Sequence, residues 1–128
     1  MDGTYSFVYS GALGVGLGIF TLTGSQVIGC SLAGGRYRGS LTKDAATGEF
    51  DIDVEQTVPA GVALVQGTSA QSLPYVKGLS GKLPADFDNG KPIQLFLPPG
   101  FVTIMVRRVP DEWAPYARGV NVSITPQT

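Results

Sequence analysis

The sequence predicts an all-β fold, a small antiparallel barrel of seven to eight strands followed by a C-terminal extension. Three observations lead there. Eighteen of the 128 residues are glycine and charged residues make up 15%, against ~25% charge in ordinary soluble domains. The strong helix formers Ala, Glu, Lys and Leu make no sustained 3.6-residue pattern. Short period-two segments recur at close, regular spacing between turn residues, and so little charge favours closure of the sheet over open edges. The length suits one core, divided here into a barrel domain over 1–109 and an extension over 110–128.

The first strand is TYSFVYS, with Tyr5, Phe7 and Tyr9 on one face and Ser6, Val8 and Ser10 on the other. It runs into GALGVGLGIFTLTGSQVIG, where Gly11, Gly14, Gly16 and Gly18 crowd together. A dinucleotide fingerprint needs G-x-G-x-x-G between a strand and a helix. Here the order is G-x-x-G-x-G-x-G and the next residues are β-branched, with a turn at Thr23-Gly24-Ser25. Without a helix N-terminus there is no row of free N–H groups for a pyrophosphate. The expectation is a glycine-rich loop entering a strand, with Gly16 and Gly18 permitting a sharp bend where the barrel closes.

RYRGSLT and EFDIDVEQ then flank KDAATG as a hairpin. In the second strand Phe50, Ile52 and Val54 face inward and Glu49, Asp51, Asp53 and Glu55 outward. A four-residue loop over 44–47 would set Leu41 opposite Phe50, Gly39 opposite Ile52 and Tyr37 opposite Val54. It would also place Arg38 against Asp53 and Arg36 against Glu55, a self-compensating face at roughly 0.2–1 kcal/mol per pair. A straight strand does not converge ligands on a cation, so Asp51, Asp53 and Glu55 stand as partner-binding candidates and not as a metal site. GVALVQG suggests a short strand, and TSAQSLPY a loop or one helical turn. VKGLSGKL and KPIQLFL are strands around the turn DFDNG. Pro99-Gly100 suggests a type II turn before FVTIMVRRV. The extension carries the one tryptophan, Trp113, with Tyr116 close by, and ends in the alternating VNVSIT. It reads as an added strand or a dimer arm that buries Trp113 and Tyr116.

Several chemistries are excluded by composition. With no histidine, Ser-His-Asp and Cys-His catalysis and His-ligated zinc are absent. The single cysteine, Cys30, rules out an internal disulfide and a Cys-only metal site, and fits a packing thiol in a reducing compartment. A net charge of −1, with Arg36/Arg38 and Arg107/Arg108 the basic pairs, offers no stripe for nucleic acid. Residues 3–35 are uncharged but rich in Gly, Ser and Thr, and Asp2 precedes them in place of a positive segment. The expectation is a soluble cytoplasmic protein with no membrane span. Asp86 and Asp88 flank a turn, where acids serve conformation. No catalytic site, cofactor or metal is expected.

MDGTYSF, GVGLGIFTLTGSQVIG and YRGSL together resemble a known family, the small GrlR-like negative regulators of bacterial type III secretion. The resemblance rests on Asp2-Gly3 followed by Tyr5-Ser6, the glycine alternation, Gly29, Tyr37 and Gly39, with Gly78 and Gly81 ahead of VTIMVRRV. It spans about residues 1–109 and is strongest over the first 45. It implies a lipocalin-like barrel of eight strands that forms homodimers and acts by binding a transcriptional activator, not DNA. In the best-known member of that family a run of four acidic residues on a loop makes the contact. The loop here is Lys43-Asp44-Ala45-Ala46, and the family's Gly-Gly-Asp turn is Gly29-Cys30-Ser31. Three functions from different classes follow. One is a regulator that binds a protein through Asp51, Asp53 and Glu55. The second is a carrier that holds a small apolar ligand against Tyr5, Phe7 and Tyr9, unless those rings simply plug the interior. An enzyme is the least supported.

Overall fold

The computed structural model describes residues 2–119. Alternation in the sequence becomes eight strands: β1 (Gly3–Gly11), β2 (Gly14–Thr23), β3 (Gln26–Ser31), β4 (Arg36–Lys43), β5 (Phe50–Val58), β6 (Tyr75–Leu83), β7 (Ile93–Leu97) and β8 (Gly100–Val109). They form one antiparallel sheet in the order β6-β5-β4-β3-β2-β1-β8-β7. The chain leaves β6 at one edge and starts β7 at the other after residues 84–92, so that short connection brings the edges together. Leu95 Cδ2 on β7 lies 3.5 Å from where a Cβ on Gly81 of β6 would stand. No hydrogen-bonded ladder joins β6 to β7 among the described residues. The result is a nearly closed barrel, the all-β architecture that the glycine content and short alternating segments predict.

Inward-pointing residues fill one end. Tyr5, Leu22, Phe50, Leu83 and Phe87 are all buried, Phe87 at 0% exposure. Phe87 comes from the 84–92 connection and rests against the Tyr5 ring at 5.7 Å and the Phe50 ring at 5.3 Å. Tyr5 stacks on Phe20 at 5.1 Å, and the Arg108 guanidinium sits 5.5 Å from its centroid. Burial, partly offset by Arg108, holds the Tyr5 phenol above its ordinary pKa.

Three local expectations are corrected. The β4–β5 register is shifted by two residues: Leu41 pairs with Ile52, Gly39 with Val54, Tyr37 with Gln56, Arg38 with Glu55, Ser40 with Asp53 and Arg36 with Thr57. The connecting loop is longer than four residues because Asp44 organises it. Its N–H donates to Glu49 O, its carbonyl accepts from Gly48 N, and its Oδ1 accepts from Ala46 N at 2.9 Å. GVALVQG is no strand but part of a strap over 59–74, pinned where Leu13 N donates to Val65 O and Leu64 N to Thr68 O. Pro98–Pro99 is a cis peptide, and Gly100 does not take the positive φ of a type II turn. The Gln66 carbonyl crowds the space a Gly100 side chain would need. The extension forms no added strand over its described part. Asp111–Trp113 is a 3-10 turn and α1 (Ala114–Ala117) a short helix against β2 and β3. The alternating VNVSIT segment, 120–125, lies outside the described residues.

The glycines of β2 have a use the sequence pattern did not reveal. Gly16 pairs with Tyr9 and Gly18 with Phe7, and a Cβ at either would clash with the partner's ring, at Gly18 also with the Cys30 carbonyl. Neither takes a positive φ, so the need is for space and not for a bend. The aromatic rings of β1 lie on glycine seats in β2.

Candidate functional site

Beyond the aromatic plug the barrel is hollow. A cavity of about 640 Å³ runs from a floor at Phe20, Leu83 and Val106 to a rim at Leu13, Leu32 and Pro59. Its walls come from inward positions of the strands, and its mouth is crossed by the 59–74 strap, whose Leu64 and Gln66 are buried. The glycine seats help to create it, since Gly16 and Gly18 let the Phe7 and Tyr9 rings lie close to the β2 wall. The lining is mainly aliphatic and aromatic, and among the described residues it includes no Asp, Glu, Lys or Arg.

A small polar group interrupts this apolar wall. Gln56 Nε2 donates to the Tyr37 hydroxyl at 3.2 Å, and Tyr37 is hydrogen-bonded in turn to Tyr9 and Ser31. Ser31 Oγ accepts from Gly35 N at 3.1 Å, which fixes the turn after β3. Ser31 and Gln56 are buried. Desolvation above all, reinforced by Tyr9, pushes the Tyr37 phenol far above its ordinary pKa, so it stays protonated across physiological pH. Each of these side chains both donates and accepts hydrogen bonds without carrying charge.

The sequence candidates separate on this geometry. Phe7 and Tyr9 line the cavity, whereas Tyr5 belongs to the plug beneath it. Asp53 and Glu55 are exposed on the outside of β5, Glu55 opposite Arg38. Asp51 Oδ1 accepts from Lys82 Nζ of β6 at 2.7 Å. Trp113 and Tyr116 are partly exposed on the outer surface, and the Tyr116 carbonyl accepts from Cys30 Sγ at 2.9 Å. Ala117 of the same helix is buried against this chain's own barrel. Sequence reasoning missed Ser31, Tyr37, Gln56 and Gln66. One signal was present: Gln56 occupies the inward parity set Phe50-Ile52-Val54-Gln56-Val58, a polar residue where the pattern calls for an apolar one.

No family model, curated protein or solved structure matches the chain. Among the described residues no helix is long and apolar enough to cross a membrane, and no group of three or more His, Cys, Asp or Glu is placed to hold a metal ion.

Proposed function

We propose that this protein binds a small apolar molecule in the lumen of its barrel. The observation that carries the reading is a cavity of about 640 Å³ with apolar walls and a few convergent polar groups, within the ~300–1,000 Å³ range of small-molecule sites. An apolar molecule seated in this space would make dispersion contacts along its whole lining, and at the plugged end the same barrel is packed with side chains. Native mass spectrometry after gentle purification tests the proposal, together with titration of the neutral fluorescent probe N-phenyl-1-naphthylamine. Saturable one-to-one binding that Leu79→Trp abolishes supports it, because Leu79 lines the cavity from β6, a strand that carries none of the lumen's hydrogen-bonded polar side chains. A bare mass together with no saturable probe binding overturns it.

Regulation by protein binding, with the homodimer that the resemblance implies and the cytoplasmic setting expected from the composition, is the second reading. On this barrel its support is the exposure of Asp53 and Glu55 beside each other on one outer face. Reversal of both charges to lysine is expected to abolish capture of the partner. Capture that survives the double reversal removes that face from the reading.

A further inference from the structure

The lumen's polar group carries information about what enters it. Buried charge is expensive unless a paired charge or several strong hydrogen bonds meet it. The cavity lining offers neither sign of charge among the described residues. What it offers is a phenol, a hydroxyl and a carboxamide joined to one another on adjacent walls: Tyr37 on β4, Ser31 on β3 and Gln56 on β5, with Tyr9 reaching in from β1. The part of the wall that β6, β7 and β8 supply, at Leu79, Leu95 and Ile104, is aliphatic. Such a surface satisfies a neutral oxygen that donates or accepts one or two hydrogen bonds. It lacks the cations that would meet a carboxylate or phosphate and the anions that would meet an amine.

We propose that the ligand is an uncharged apolar molecule bearing a hydroxyl or carbonyl oxygen, seated with that oxygen on the Tyr37–Gln56 pair and its hydrocarbon part on the aliphatic wall and floor. This rests on the lumen being the binding site and specifies which chemical class it takes. Two cations near the barrel interior bear on the choice. Arg108 is engaged with the Tyr5 ring in the plug, below the floor. Lys77 pairs in register with Gln56 on the inward parity of β6 and is half-buried, yet it does not line the cavity. A ligand anion would have to reach past the lining to find it.

The test is a set of three twelve-carbon chains that differ in their head: 1-dodecanol, dodecanoate and dodecylammonium. Each is kept below its micellar range at pH 8, where the acid is ionised and the amine protonated. Displacement of N-phenyl-1-naphthylamine from the wild-type protein is the readout. The expected result is that dodecanol displaces the probe at least about tenfold more effectively than either charged chain. Gln56→Leu and Tyr37→Phe are each expected to weaken dodecanol roughly three- to tenfold, the worth of one lost hydrogen bond, with each displacement referred to that variant's own affinity for the probe. The head-group series needs no variant, so it stands even where a substitution harms folding. If dodecanoate matches or exceeds dodecanol, the neutral-ligand inference is overturned, and its loss on Lys77→Gln would locate the anion's partner. If the probe and all three chains fail to bind, it is the lumen reading that falls, a different result from a charged chain winning.

Discussion

At one end of the barrel Phe87 lies at 0% exposure among Tyr5 and Phe50, with ring centroids 5.3–5.7 Å apart. At the other, Tyr9, Tyr37 and Gln56 face a space of about 640 Å³. Both ends are made by the same strands, so the difference is not one of fold. At the plugged end a short connection inserts an aromatic ring and the inward positions are large. At the hollow end β2 supplies Gly16 and Gly18, and the mouth is crossed by a strap of irregular chain. The strap is also less well satisfied: Thr68 Oγ1 and Tyr75 OH, at the strap and where it joins β6, are buried without a hydrogen-bond partner, each a cost of about 1–3 kcal/mol. Side-chain packing is concentrated at the plug and open space at the mouth.

Four measurements sharpen or break that division. The largest effect is expected from Phe87→Ala, which empties the plug and should lower unfolding free energy by about 3–5 kcal/mol, measured by urea titration. A loss under about 1 kcal/mol would mean the plug is not the stabilising end. Gly18→Ala puts a methyl group into the Phe7 seat and is expected to cost about 1–3 kcal/mol, while narrowing the lumen and weakening probe binding. Hydrogen exchange should show amides of 59–74 opening well before those of β1 and β8, and slowing when the probe is bound. Equal protection at both ends would contradict the division.

The smallest effect is a pH dependence. Burial raises the Tyr37 pKa in the folded state, so the folded protein holds its proton where the unfolded chain releases it. That contribution is fully present below the unfolded value near ~10 and is lost as pH rises above it toward the folded pKa. Tyr37→Phe should therefore flatten the decline in stability on the alkaline side and leave the slope at neutral pH unchanged. Tyr5, raised for the same first cause, adds a parallel decline that persists in this variant.

Much of the architecture was legible because strand alternation is a local property. The inward set Tyr5-Phe7-Tyr9 and the set Phe50-Ile52-Val54 follow from period two alone. Register is less local: it was misplaced by two residues because Asp44 caps a longer loop through its own side chain, a choice that KDAATG does not announce. The split of Tyr5 from Phe7 and Tyr9 was invisible for a different reason. All three share one face, and the position of the floor depends on Phe87, which arrives 82 residues after Tyr5. The polar group was scattered over four strands, one residue on each of β1, β3, β4 and β5. Only Gln56 broke its strand's pattern strongly enough to be noticed from sequence.

The ring-on-glycine pairing between β1 and β2 has a consequence for how such a pocket changes. In most cavities altering capacity means exchanging large side chains and repacking their neighbours. Here Gly16 and Gly18 act as stops that set how far the Tyr9 and Phe7 rings recline against the wall. Adding one methyl at a stop tilts a whole ring into the lumen, and shortening the ring enlarges the lumen without touching the stop. The width of the lumen is thereby set from two backbone positions that carry no side chain, a pair of set-screws on the bore of the barrel.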